Sequence, residues 1–108
     1  MYKPLPESVT IKPSKVHGLG LFADQKIMHG TNLGMSHLKI GDRIFRTPLG
    51  GFINHSNTPN CIKAELRMTD EDLHGHQYYY KKWNLITLRN IREGEELTLK
   101  YTFYKIND

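Results

Sequence analysis

Three short segments of the sequence carry residues whose types and spacing suit chemistry. The first is Gly18-Leu19-Gly20, where the absence of side chains lets the backbone approach a ligand closely. The second begins at Asn54-His55-Ser56 and offers amide and imidazole groups that both donate and accept hydrogen bonds. The third starts at Gly94-Glu95-Glu96 and ends at Tyr101, which supplies a phenol hydroxyl. These types suit a site that combines close backbone approach, polar side chains and one phenol.

The elements that must position these segments are predicted to be β-strands and turns. Short apolar runs alternate with glycine, proline and other turn-forming residues, and no stretch shows a sustained helical period. Residues 69–76 form a polar turn that predicts a hairpin between two strands. In the last strand, Leu97, Leu99, Tyr101 and Phe103 would share one face. The predicted strands cover residues 9–12, 21–23, 38–40, 43–45, 61–68, 77–88 and 97–103.

Composition limits the class of protein. The chain has 108 residues, 38% hydrophobic and 24% charged, which is typical of one folded domain. Its net charge of +4 is a mild excess that does not require a nucleic-acid partner. Cys61 is the only cysteine, so no internal disulfide can form and a cysteine-built zinc site would lack ligands. Without an apolar run of signal or membrane length, we expect a soluble, intracellular protein of the cytoplasm or nucleus.

The order and spacing of the three segments resemble the SET domain, a family of protein-lysine methyltransferases. In that family the first segment is a Gly-x-Gly turn, and the second reads Asn-His-Ser-x-x-Pro-Asn, as residues 54–60 do here. The third reads Gly-Glu-Glu-Leu-Thr before the catalytic tyrosine, and the whole resemblance covers about residues 9–101. It implies a mainly β fold of several small twisted sheets with a C-terminal pseudoknot-like crossing. A single SET-like domain is expected over residues 1–108, with a core of about residues 9–104.

The resemblance also implies a cofactor, S-adenosylmethionine, and a protein lysine as the methyl acceptor. By position in the family's motifs, Tyr101 would be the catalytic residue. The residue types agree, because the zwitterionic amino-acid end of the cofactor needs backbone groups and polar side chains. The alternative is that Asn54, Ser56 and Asn60 only satisfy buried backbone groups in the crossing. The cofactor-binding residues carried over from the family are Gly18, Leu19, Gly20, Asn54 and His55.

The expected mechanism is in-line displacement by a neutral lysine amine. The lysine loses its proton to water before attack, so no dedicated carboxylate base is required. The hydroxyl of Tyr101 would stay protonated, orient the amine and polarise the methyl group through weak C–H contacts. The alternative role for Tyr101 is a core tyrosine whose hydroxyl is bonded to the backbone. By resemblance, the substrate channel is lined by Leu99, Phe103 and Tyr104.

Leu99 lies where the family has a phenylalanine or tyrosine that controls the number of methyl groups added. A leucine cannot hold a water there by hydrogen bonding, so more than monomethylation is predicted. The chain departs from the family at Gly51, where an arginine is common, and its insert before Phe52 is short. Substrate recognition is therefore open. Because flanking zinc modules are absent, the chain's own tail or a second copy in a homodimer would close the adenine side.

Two other features have competing interpretations. The segment Tyr78-Tyr79-Tyr80-Lys81-Lys82-Trp83 interleaves aromatics and cations, as in proteins that bind single-stranded nucleic acid. An inactive SET-like module that binds nucleic acid or a protein through this hairpin is the alternative function. A half-buried strand explains the segment better, and a nucleic-acid partner is not expected. His74 and His76 have no third ligand nearby in the sequence, so no metal site is predicted.

Overall fold

Strands dominate the protein. The structure, a computed structural model, describes residues 4–101. The mainly β fold predicted from the sequence is confirmed. No helix in the described range is long and apolar enough to cross a membrane. In chain order the elements are β1 (Val9–Pro13), β2 (Leu19–Ala23), β3 (Asn32–Ile40), β4 (Arg43–Arg46), α1 (Pro48–Phe52), β5 (Asn54–His55), β6 (Cys61–Glu71), β7 (Gln77–Thr87) and β8 (Glu96–Leu99).

The strands form one connected sheet in the order β1-β2-β8-β6-β7-β3-β4, and β5 pairs with β8 outside this path. β8 is antiparallel to β2 but parallel to β5 and β6. The C-terminal strand therefore passes between segments that come much earlier in the chain. Asn60 fastens this crossing, since its amide nitrogen donates to the carbonyl of Glu96 at 2.8 Å and its amide oxygen accepts from the N–H of Thr98 at 2.8 Å.

A single apolar cluster lies where β1, β2, β6, β7 and β8 meet. β8 alternates strictly, with Leu97 and Leu99 buried and with Glu96 and Thr98 only half-buried. Successive side chains of a strand point to opposite faces, so this alternation turns Glu96 away from the apolar cluster. The buried members of the cluster are Val9, Leu21, Ala23, Ile27, Leu33, Leu49, Ile53, Cys61, Leu85, Ile91, Leu97 and Leu99.

The long hairpin of β6 and β7 is paired without interruption from Cys61↔Thr87 to Glu71↔Gln77. The sequence predicted it, but placed its turn too early, at residues 69–76. Polar residues 69–71 extend the strand because both faces of the hairpin end are exposed, so polar side chains cost nothing there. Asp72 closes the actual turn, where its carboxylate accepts the N–H groups of His74 and His76 at 2.8 and 2.9 Å.

Several further details differ from the sequence prediction. β3 begins at Asn32, six residues before the predicted strand, and the two-residue strand β5 was not predicted. The last strand was predicted over residues 97–103, yet β8 ends at Leu99, so Tyr101 lies beyond the strand. The short helix α1 was not predicted, because five residues do not show a helical period and two of them are glycines. Pro48 starts this helix, where the missing N–H of proline is not needed. Gly50 lets it pack closely, since a Cβ there would overlap the carbonyl oxygen of Ser36.

Candidate active site

Asn54 connects β5 to the glycine turn. Its side-chain nitrogen lies 3.2 Å from the carbonyl oxygens of both His17 and Leu19, and 2.8 Å from a carboxylate oxygen of Glu96. All three neighbours are acceptors only, so the amide must turn its NH₂ toward them. The amide oxygen of Asn54 then points away from these three groups, and it makes no hydrogen bond within residues 4–101. Among the described residues, this oxygen is therefore an acceptor with no donor.

The glycine turn itself is tight. The N–H of Ser14 donates to the carbonyl of Gly18 at 2.8 Å and closes the loop before β2. Gly18 has φ +46°, and no atom of residues 4–101 outside its chain neighbours lies within 4 Å of the place where a Cβ would be, so the described part of the chain leaves the turn open on that side. Gly20 lets the Glu96 carboxylate lie against the backbone, because a Cβ there would overlap that carboxylate and displace it. Leu19 is 49% exposed between them.

Glu96 is a member of this group that the sequence analysis did not single out. Its carboxylate accepts the hydroxyl of Ser14 at 2.7 Å and the amide of Asn54 at 2.8 Å. The neighbouring Glu95 instead pairs with Arg89 on the surface. The sequence already distinguished Glu96 from Glu95. Leu97 and Leu99 face the core, so the alternation of a strand places Glu96 on the opposite face.

His55 contacts Tyr101. Its Nδ1 accepts the backbone N–H of Tyr101 at 2.9 Å, and its Nε2 lies 3.2 Å from the amide oxygen of Asn57. Because Nδ1 is an acceptor, the neutral ring carries its proton on Nε2 and donates it to Asn57. The two rings lie 5.1 Å apart at 59°. The ring of His55, expected to bind the cofactor, therefore holds Tyr101 in place, and its contact with the cofactor stays a prediction.

Tyr101 lies just past the end of β8 and is half-buried. Its hydroxyl donates to the carbonyl oxygen of Ile53 at 2.7 Å. This is the backbone bond expected of a structural tyrosine, and it also commits the phenol proton inward. The oxygen keeps lone pairs that can accept from a bound group. Phe103 and Tyr104, expected to line the substrate channel, lie outside the described residues.

A sequence model of the SET domain matches residues 37–102, more than half of the chain. The chain belongs to the SET domain family. Membership of this family indicates a methyltransferase, and the match includes the Asn54 and Tyr101 segments but begins after the glycine turn. A crystal structure of a candidate histone methyltransferase from Plasmodium falciparum has the same fold, with a TM-score of 0.63 at 14% identity, covering 92% of this chain and 96% of that one. No match was found among curated proteins.

Leu99 in this SET domain is a core residue as well as a candidate channel residue. It is 2% exposed and pairs with His55 and Cys61 on the neighbouring strands. It also borders a cavity of about 400 Å³. The channel role carried over from the family stays a prediction. The cavity beside the Leu99 side chain is compatible with that role. The other residues that line the cavity are Pro59, Cys61, Ile62, Lys63, Leu88 and Lys100.

Burial shifts the pKa of two groups that line the cavity with Leu99. It raises the pKa of the Cys61 thiol to about 12, although Arg89 nearby acts in the opposite direction. The thiol is therefore protonated at neutral pH and unsuited to be a nucleophile. Burial also lowers the pKa of the Lys63 amine to about 8. Both shifts come from loss of contact with water, and both residues line the cavity that Leu99 borders.

The hairpin of this SET domain presents its aromatic residues unevenly. Trp83 is 7% exposed, whereas Tyr79 is 73% exposed, and the amine of Lys81 lies 4.0 Å from the carboxylate of Glu65. Burial of Trp83 removes one of the residues on which nucleic-acid binding through this hairpin was based. Within residues 4–101, no three His, Cys, Asp or Glu side chains are grouped closely enough to hold a metal ion.

Proposed function

We propose that the chain transfers a methyl group from S-adenosylmethionine to a lysine side chain of a protein. The observation that carries this proposal is the convergence of two distant segments, the glycine turn and the segment that ends at Tyr101, on the two residues of β5. Asn54 bonds to the carbonyls of the glycine turn, and the adjacent His55 bonds to the N–H of Tyr101. A ligand bound at the glycine turn would thus contact the same short strand, β5, that positions Tyr101.

The residues around the glycine turn fit the amino-acid end of S-adenosylmethionine. That end carries a positively charged amino group, which needs acceptors. β5 supplies the amide oxygen of Asn54, and the turn region supplies the carbonyls of His17 and Leu19, each of which has a second lone pair. The open side of Gly18 allows close approach to the backbone. When bound, the cofactor supplies an activated methyl group on a sulfonium centre.

Tyr101 would act on the incoming amine by position. Its proton is committed to the carbonyl of Ile53, so its oxygen accepts from N–H or C–H groups and does not donate to them. An acceptor of this kind orients a neutral amine for in-line attack, which requires reacting atoms to be held close and aligned. The amine has already lost its proton to water, because a tyrosine with a committed proton is not a general base.

The test measures binding first and transfer second. Calorimetric titration of S-adenosylmethionine into the chain is expected to give saturable heat that Asn54→Ala abolishes. Methyl-labelled cofactor is then supplied with a library of lysine peptides of histone and nonhistone origin, and with the same peptides acetylated on lysine. Label is expected only on the unmodified peptides, since acetylation removes the nucleophile. Absence of cofactor binding by the folded chain would contradict the proposal.

The role of Tyr101 is tested with Tyr101→Phe, which removes only the hydroxyl. Transfer should fall by about 100-fold, the loss that a small misplacement of the reacting atoms can cause. Binding of S-adenosylmethionine should be retained. Tyr79→Phe is the matched control, because it removes a hydroxyl from an exposed tyrosine on the hairpin. Equal turnover by the two variants would show that the Tyr101 hydroxyl is structural only.

A further inference from the structure

Glu96 is a half-buried carboxylate held by neutral donors. The Ser14 hydroxyl lies 2.7 and 2.9 Å from its two oxygens, and the Asn54 amide lies 2.8 Å from one of them. Glu65, Asp72 and Glu95 form ion pairs, whereas Glu96 forms none with a residue in the range 4–101. The negative charge beside the glycine turn is therefore compensated by hydrogen bonds but by no cation of the described chain.

A negative charge in this setting favours a positively charged ligand over a neutral one. Partial burial removes some of the water that would screen the carboxylate, so its Coulomb interaction with a nearby charge is stronger than in bulk water. The position is fixed, because the carboxylate is bonded to Asn54 and lies directly under Gly20, where a Cβ would overlap it. The charge thus lies beside Asn54, whose amide oxygen makes no hydrogen bond within residues 4–101.

We propose that Glu96 is the specificity-determining anion of this site and selects the positively charged amino group at the methionine end of S-adenosylmethionine. The inference rests on the proposed function, because it takes that molecule as the ligand. Glu96 acts through Asn54 and through its own charge, so it is a positioning residue. It takes no part in the methyl transfer itself.

The chain contains a matched control in the adjacent Glu95. That carboxylate belongs to the same motif but pairs with Arg89 and accepts the N–H of Arg92 at 3.0 Å, away from the turn. Glu96→Gln and Glu95→Gln both remove one negative charge and change the size of the side chain little. An effect of net charge alone would be equal in the two variants, whereas an effect of the site would appear only in Glu96→Gln.

Two ligands separate selection of the amino group from support of the fold. S-adenosylmethionine carries the amino group, whereas 5′-methylthioadenosine has the same adenosine and a thioether but no amino-acid part. Affinities of both are measured by calorimetry for the unsubstituted chain and the two variants, with thermal unfolding recorded in parallel. Glu96→Gln is expected to weaken S-adenosylmethionine about tenfold, or about 1.4 kcal/mol. The affinity of 5′-methylthioadenosine should stay within about twofold, and Glu95→Gln should change neither.

The other outcomes are distinct. Equal weakening of both ligands by Glu96→Gln would show that the carboxylate only supports the turn, and would overturn the inference. Unchanged affinity for both would overturn it as well. If the unsubstituted chain is folded but does not bind S-adenosylmethionine, the proposed function fails, and the inference fails with it. Only the ligand-dependent loss supports the selection of the amino group.

Discussion

Nδ1 of His55 accepts the backbone N–H of Tyr101 at 2.9 Å, so a residue of β5 fixes the chain where it leaves β8. A strand would have continued this segment by pairing with a neighbouring backbone. The imidazole replaces that pairing. Tyr101 can then donate its hydroxyl to the carbonyl oxygen of Ile53, the residue before β5. The position of the phenol oxygen therefore depends on a side chain that is far from it in sequence.

Removal of this contact should reduce methyl transfer more than cofactor binding. His55→Ala leaves the N–H of Tyr101 without its acceptor and is expected to lower kcat at least about tenfold, an increase in the barrier of about 1.4 kcal/mol. The affinity for S-adenosylmethionine should change less, because Asn54 still bonds to the glycine turn. Asn57→Ala removes only the partner of Nε2 and serves as the control. A selective loss of cofactor affinity in His55→Ala would instead assign the ring to the cofactor.

Adjacent glycines of α1 should respond oppositely to alanine. A methyl group on Gly50 would overlap the backbone carbonyl of Ser36 and lie 2.8 Å from the ring of His37, so Gly50→Ala should destabilise the fold by about 1–3 kcal/mol. Gly51 has nothing within 4 Å of the Cβ position, and Gly51→Ala should stabilise by up to about 1 kcal/mol through the unfolded chain. Urea unfolding monitored by circular dichroism measures both. Equal effects would mean that α1 packs differently.

Acid should weaken the fold through His37. Burial, with smaller contributions from Lys63 and Arg46, lowers the pKa of its imidazole from 6.5 to about 4. The unfolded chain takes up the proton below about pH 6.5 while the folded chain does not, so stability falls as pH drops from 6.5 toward 4. At about 1.4 kcal/mol per pKa unit, the loss is on the order of 3 kcal/mol.

The check is the pH dependence of urea unfolding, compared between the unsubstituted chain and His37→Gln. The variant is expected to lose most of the slope between pH 6.5 and 4, whatever its stability at neutral pH. His74→Gln, at an exposed position in the β6–β7 turn, should keep the slope. An unchanged slope in His37→Gln would show that other groups cause the acid sensitivity.

Cys61 should resist thiol reagents in the folded state. It is 1% exposed, and burial raises the pKa of its thiol to about 12, so little of the reactive thiolate forms at pH 8. Modification by an aromatic disulfide reagent is expected to be more than about 100-fold slower in buffer than in concentrated urea. Because the sequence contains one cysteine, the reaction also reports global unfolding. Rapid modification without denaturant would contradict the burial of Cys61.

The sequence predicted most of the strands, because short apolar runs between turn-forming residues depend on local information. Several strand ends were misplaced, including the starts of β2 and β3, and two of the errors have clear non-local reasons. β6 continues through polar residues 69–71 because β7 is present to pair with them. β8 stops at Leu99 because the N–H of Tyr101 bonds to the ring of His55 and leaves the ladder. The pattern of apolar residues along one strand cannot reveal either partner, because both lie elsewhere in the sequence.

By itself, the sequence determined the family, the mainly β class and the residues that make up the three candidate segments, since each depends on residue type and order. Only the tertiary structure decided what those side chains contact. It directs the amide of Asn54 to the turn, gives the ring of His55 to Tyr101 and places Glu96 beneath Gly20. Hydrogen bonds are short and directional, so they are fixed only when the parallel pairing of β5 with β8 brings distant segments together.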